Sequence, residues 1–234
     1  MKLFSKISVL LALGALSTLS MSAEFESFKV EVTFVPQLSP VMLMEGVTEG
    51  TVVIAIDLSA TGEITDHLVL GTTHRALVAP CVDALKSWKF TPARYDGVPV
   101  PVQTDLTVNY SAKGVVVSRA AVLDLNQHVQ QIFGYRFESR RRPVRELDQA
   151  LAPLSVTAPK YAIQAEKEGV RGQVRVHFYI DEHGAVRLPS IEGDAHPYLS
   201  QQALQAIREW RFAPPTARGK PVLVSVRQDF QFSR

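Results

Sequence analysis

A lone cysteine among 234 residues rules out an internal disulfide, so no covalent cross-link helps this chain fold. Cys81 falls on the apolar face of a predicted helix, where a small buried residue is the simplest role for it. Charge of one sign is also missing. The 25 basic and 23 acidic residues give a formal charge of +2, and nothing concentrates positive charge enough to suit nucleic acid. No phosphate-binding glycine loop, nucleophile elbow or zinc-protease motif occurs. The six histidines show no pair at ligand spacing and have no cysteine support, so neither a metal nor a cofactor is expected. The 14 prolines are scattered and form no extended proline-rich tract. With catalytic clusters absent and a hydrophobic fraction of 46%, an ordinary globular protein that is not an enzyme is expected.

Beyond the N-terminus, no apolar run is long enough to span a bilayer. At the N-terminus itself, Lys2 and Lys6 precede the apolar stretch Ile7 to Leu19, and the small residues Ser20 and Ser22 follow. That order matches a secretory signal peptide over residues 1–22, with cleavage after Ser22 or Ala23. Removing it takes away two lysines and no acid, leaving 23 basic residues against 23 acidic ones.

What the chain does have is an internal repeat. Trp88-Lys89-Phe90-Thr91-Pro92 returns as Trp210-Arg211-Phe212-Ala213-Pro214. At the same offset Gly50 falls on Gly172, Gly62 on Gly184, Ala84 on Ala206, and Pro99-Val100 on Pro221-Val222. The period is too long for a solenoid unit and suits a small domain. The expected division is a first copy over 23–110, a linker over 111–150 and a second copy over 151–234.

Each copy reads as hairpin, helix, strand, an α+β unit. Val174, Val176, Phe178 and Ile180 alternate with Arg175, His177 and Tyr179, matching Val52, Ile54, Ile56 and Leu58 in the first copy; period two marks a half-buried strand. Asp181 and Gly184 suit the hairpin turn that follows. Leu199, Ala203, Ala206, Ile207 and Trp210 recur at helical spacing, as do Leu77, Cys81, Ala84, Leu85 and Trp88. A long alternating strand, Val222 to Phe232, closes the second copy. Trp88, Phe90, Trp210 and Phe212 are expected in the core. Phe28 to Val35 reads as an extra strand that covers an edge of the first copy. In the linker, Ala120 to Phe133 reads as a helix, and the run holding Arg136, Arg140, Arg141, Arg142 and Arg145 as solvated connection.

The second copy carries Pro159-x-Tyr161, Gly172, Val174-x-Val176-x-Phe178-x-Ile180-Asp181-x-x-Gly184, Trp210-x-Phe212-x-Pro214 and Gly219-Lys220-Pro221-Val222, and closes on Phe230-x-Phe232. That pattern resembles the C-terminal domain family of TonB, the energy transducer of bacteria with two membranes, over nearly all of 156–234. The first copy is a weaker second instance over about 35–110, with Ser39 where the tyrosine would stand. The resemblance implies a tandem α+β protein of the periplasm that binds partners and catalyses nothing. It also implies strand addition: a peptide from an envelope protein, such as an outer-membrane receptor's N-terminal segment, pairs with the margin of the last strand. On that reading the partner-binding residues are Leu223, Val224, Ser225, Val226, Arg227, Gln228 and Asp229, with Pro159 and Tyr161 beside them. A homodimer through the same margin and an envelope scaffold that grips the cell wall through the basic linker are the other readings.

Overall fold

The computed structural model describes residues 25–31, 36–111, 114–119, 137–161 and 163–233. The expected signal segment and the expected helix at Ala120 to Phe133 lie outside them.

In the first copy, β1 (Glu49–Leu58) and β2 (Ile64–Thr72) form the predicted hairpin, α1 (Val78–Leu85) follows, and β3 (Val102–Ser111) is the long last strand. The sheet is larger than the repeat alone predicts. A further strand, β4 (Gly114–Arg119), doubles back on β3, and the linker adds β5 (Glu138–Ser139) outside β2, giving the order β5-β2-β1-β3-β4. In the second copy a linker strand, β6 (Arg141–Arg142), joins β7 (Gly172–Ile180), β8 (Val186–Glu192) and β9 (Leu223–Phe232) in the order β6-β9-β7-β8. The helix α2 (Pro197–Glu209) lies on β7 and β8. The fold is therefore α+β, with helices against antiparallel sheets.

Each copy has its own core on the helix side of its sheet. Trp88, Phe90, Cys81, Leu77, Ile54, Ile56, Leu106 and Tyr110 fill the first, and burial pushes the Cys81 thiol up to about 11. In the second, the Trp210 ring stands 6.4 Å from Phe178 and 5.7 Å from Phe230. Its indole N–H donates to the Thr157 carbonyl at 2.8 Å, which satisfies the polar end of a ring that is otherwise apolar contact area. The hairpin turn is held as its residues suggest. Asp181 accepts from the backbone N–H of His183 (3.0 Å) and of Ala185 (2.9 Å). Gly184 sits at φ +81°, and a Cβ there would meet the Phe212 carbonyl oxygen at 1.9 Å; Gly62 repeats this against Phe90 at 2.1 Å. Only glycine satisfies both the positive φ and the close approach.

Two expectations change. Lys29–Glu31 pairs with Lys89–Thr91 beyond the helix, not with the main sheet, and Phe28 packs 6.3 Å from Phe90. Residues 32–35 of that expected strand lie outside the described ones, and the outer side of β3 is covered over Leu106 to Ser111 by β4. The basic stretch is also not a solvated connection, because residues 137–142 hydrogen-bond to both sheets in turn. Glu138 and Ser139 pair antiparallel with Thr72 and Gly71; Arg141 and Arg142 then pair parallel with Leu223 and Val224.

This crossing is possible because the helix-free faces of the two sheets meet. Val53, Ala55, Leu68 and Leu70 from the first copy bury against Tyr179, Leu188 and Leu223 from the second, with Phe137 of the linker at the margin. Leu188 takes φ +48° beside a bulge in the β7–β8 register. Its side chain is buried in this shared layer, while its carbonyl accepts from Gln103 Nε2 at 2.7 Å. Arg187 forks onto the Asp66 carboxylate and donates to the His67 carbonyl at 2.9 Å.

Asp105 on β3 is mostly buried at this junction. Burial pushes its carboxyl up to about 6 from 3.8, and Arg141 opposes the shift. A folded-state value above the unfolded one means that the ionised carboxylate costs stability. That cost is absent below about pH 4 and fully present above about pH 7. His177 acts in the opposite sense, since burial lowers it and its contribution is lost as pH falls below its ordinary 6.5. His177 is common to wild type and an Asp105→Asn variant, so it cancels from their difference. Chemical denaturation should find Asp105→Asn more stable than wild type by about 1–3 kcal/mol at pH 7.5, with the gap closing towards pH 4. A gap that stays constant with pH refutes the assignment. A second expectation concerns the linker. A Cβ on Gly71 would meet the Phe137 ring at 2.4 Å and the Glu138 carbonyl oxygen at 2.9 Å. Gly71→Ala should therefore lift residues 137–142 off β2 and raise their rate of tryptic cleavage after Arg140 and Arg141; an unchanged cleavage pattern counts against the staple.

Candidate functional site

Strand β9 combines length, regular alternation and an incomplete set of neighbours. It lies antiparallel to β7 along its whole length, from Val224 opposite Ile180 to Phe232 opposite Gly172. On its other side β6 covers Leu223 and Val224 only. The linker then leaves the sheet at Pro143, which has no N–H to donate, and enters a short 3₁₀ turn at Val144–Glu146. Asp148 anchors the returning chain to the second copy by accepting from the backbone N–H of Arg218 (2.7 Å) and of Gly219 (2.8 Å), and these bonds hold its carboxyl below its ordinary value. Among the described residues, none pairs with the outer side of Ser225 to Phe232.

The two faces of that open stretch differ. On the helix side, Val226, Phe230 and Phe232 belong to the apolar core of the second copy. Tyr161 leans on Phe232 with ring centroids 6.0 Å apart, and its hydroxyl donates to the Val170 carbonyl. Pro159 is half-buried nearby in sequence. On the opposite face Ser225 shares a 2.7 Å hydrogen bond with His177 Nε2. Arg227 donates to both carboxylate oxygens of Glu192 at 2.8 Å, and Arg175 reaches Asp229 at 2.7 and 3.1 Å. Contact with Arg175 holds the Asp229 carboxyl below its usual range.

The structure thus brings Ser225, Val226, Arg227, Gln228 and Asp229 together on one open margin, with Tyr161 at its far end. Leu223 and Val224 differ from the expectation: both are fully buried and already paired in cis. The margin available to a second strand begins at Ser225. Sequence reading missed Arg141 and Arg142 as the cis neighbours of this edge, since a two-residue strand carries no periodicity to read. Phe137, an apolar residue just ahead of the arginine run, was the available hint.

In the first copy β3 corresponds to β9, and it is flanked on both sides, by β1 over Glu49 to Leu58 and by β4 over Leu106 to Ser111. The two copies therefore share a plan, but among the described residues the unpaired outer side runs from Ser225 to Phe232 in the second copy and over Val102 to Asp105 alone in the first.

Comparison with known proteins finds one family in both halves of the chain. The family model described as the Gram-negative bacterial TonB protein C-terminal matches twice, at residues 40–112 and 157–233. A curated relative, Protein TonB of Vibrio cholerae, is 36% identical over 75 residues, which are 32% of this chain and 31% of that protein. The chain thus aligns with under a third of that relative's length. Among solved structures, the solution structure of the Pseudomonas aeruginosa TonB CTD is 26% identical, covering 40% of this chain and 93% of that one at a TM-score of 0.34. With both copies matched and most of the sequence accounted for, the chain belongs to the TonB C-terminal domain family.

Proposed function

We propose that this protein works in the periplasm of a Gram-negative envelope as a binding module. Its second copy receives an extended segment of a partner by strand addition, in the setting of TonB-dependent outer-membrane transport. Family membership supports the envelope role. The observation that supports the mode of binding is the outer side of β9, unpaired from Ser225 to Phe232 among the described residues, whereas the corresponding strand of the first copy is covered over Leu106 to Ser111. A guest strand here would gain backbone hydrogen bonds along the margin. Its alternate side chains would lie beside Val226 and Phe230 on one face and beside Arg227 and Asp229 on the other. Each hydrogen bond nets roughly 0.5–1.5 kcal/mol, and ordering the guest backbone costs about as much per residue. The outcome is transient binding whose selectivity comes from side chains.

The scaffold reading depends on a free basic linker. Arg140 is engaged by Glu182 and the Val69 carbonyl, and Arg141 lies near Asp105 and Tyr179. Those contacts leave the linker less charge to offer a cell-wall polymer, and they favour the strand-addition reading.

Titrating the full chain with peptides copied from the N-terminal segments of outer-membrane receptors, and following backbone amide resonances, tests the proposal. Shifts should concentrate at Ser225 to Gln231 and at Tyr161. Shifts confined to residues 137–150, or none with any peptide, would sink it.

A further inference from the structure

The stop at the head of the β9 margin hangs on one side chain. In β6, Arg141 and Arg142 pair with Leu223 and Val224 and go no further. Pro143 follows and has no N–H to add a rung. Arg142 is exposed, whereas Arg141 is half-buried at the junction between the copies. There it hydrogen-bonds the Tyr179 side chain and lies beside the Asp105 carboxyl. Arg140 is fixed separately. Its backbone N–H donates to the Leu70 carbonyl at 2.9 Å, and its side chain engages Glu182 and the Val69 carbonyl. The two residues on β9 can therefore leave while Glu138 to Arg140 stay on β2.

Two groups around Arg141 change charge near neutral pH. Asp105 sits opposite Ala55, which is buried in the shared layer. His177 lies edge-on to Tyr179 at 5.0 Å, with Nε2 2.7 Å from Ser225 Oγ. The charged and titratable groups that act on Asp105 are Arg141 from β6 and Tyr179 from β7. Those that act on His177 are Glu192 from β8, Arg227 from β9 and Arg141. Glu192 is already committed to Arg227 at 2.8 Å. Burial by Ala55 and Tyr179 belongs to the packed copies and remains when β6 leaves. What departs with β6 is the Arg141 guanidinium, which favours an ionised Asp105 and a neutral His177. Both groups therefore hold a proton more tightly with β6 away, and protons favour the state that holds them more tightly. Burial brings Asp105 up to about 6 and lowers His177 from 6.5, so the preference is exercised as pH falls through that range.

We infer that β6 is a proton-operated latch: protonation of Asp105 and His177 removes the hold on Arg141, releases Arg141–Arg142 from β9 and extends the open margin to Leu223. The stop stands at neutral pH and withdraws in acid. The latch does not need a guest; only its consequence for binding rests on the proposed function.

Hydrogen exchange of the full chain without peptide tests it, with protection taken relative to the intrinsic rate at each pH. The amides that bridge Arg141–Arg142 and Leu223–Val224 should lose about tenfold in protection between pH 7.5 and pH 5, the effect of a combined displacement of one pKa unit. Amides of Ile54 and Phe178, in the two cores, should keep theirs. Asp105→Asn should bring the bridging amides at pH 7.5 down towards the wild-type acid level, although the same substitution stabilises the whole fold; general damage would lower both. Adding His177→Gln should flatten the pH profile. Bridging amides whose protection is unchanged by pH, rises in acid, or falls only together with the core amides overturn the latch. Wild type alone decides this if a variant fails to fold. Titration with a receptor-segment peptide long enough to reach Leu223 then separates the two readings. Shifts should extend to Leu223 and Val224 at pH 5 and stop at Ser225 at pH 7.5. Shifts that stop at Ser225 at both pH values overturn the latch. Acid release of β6 with no peptide bound at either pH supports the latch and sinks the guest reading alone.

Discussion

The contact between the helix-free faces of the two sheets governs the rest of this molecule. A sheet with one face on a helix still has another face to place. Here the two leftover faces bury each other through Val53, Ala55, Leu68 and Leu70 on one side and Tyr179, Leu188 and Leu223 on the other. Once the sheets lie together, an outer strand of the first and an outer strand of the second are close enough for one short extended segment to reach both. The linker takes that path, pairing first with β2 and then with β9. The partial cover of β9 is therefore a consequence of inter-copy packing. It is not a local property of the second copy, which makes the second copy alone a poor stand-in for the protein.

The copies diverge where duplication leaves them free to do so. Their cores keep the same parts, a Trp-x-Phe pair closing over a helix and hairpin, because losing a buried aromatic from a domain this small costs about 3–5 kcal/mol. Their margins do not. In the first copy β4 pairs with β3 over Leu106 to Ser111, while in the second the outer side of β9 from Ser225 onward is unpaired among the described residues, with Arg227, Asp229 and Gln231 exposed. A first copy so enclosed serves as a platform: it supplies the surface against which β8 and the start of β9 are fixed, and it leaves the remainder of β9 to face outward.

Much of this architecture was readable in the residues. The repeat, the hairpins, both helices and the long last strands follow from period-two and helical spacing, because those elements are long enough to show a period. The inter-copy layer was signalled less plainly. Val52, Val53, Ile54, Ala55 and Ile56 form an unbroken apolar run, which marks a strand buried on both faces, and all five are buried. Reading only every second residue hides that. The linker strands were not legible, since pairing over two residues is imposed by neighbours and leaves no pattern of its own. Leu188 is another such case: strand alternation does not announce a residue at φ +48° whose side chain joins a different layer from the one expected. Of the candidate site, the alternation of β9 showed which residues share a face, whereas the position where its open side begins depended on Arg141 and Arg142, more than 80 residues earlier in the chain.

That starting point matters for any strand that seeks this margin. The linker is tethered at both ends to the sheets it crosses, so its local concentration at Leu223 and Val224 is that of an intramolecular partner, in the millimolar range for a short connection. A free peptide at physiological concentration does not displace it cheaply. An incoming strand must therefore fit between β6 and the end of β9, and cannot slide towards Leu223 to gain further hydrogen bonds. Backbone pairing alone is the same in every register; a fixed stop, together with one positive and one negative side chain in defined positions, makes registers unequal. The linker thus converts an edge that would accept any extended chain into one that discriminates by length and by charge, and it does so with a segment whose own sequence shows no sign of the task.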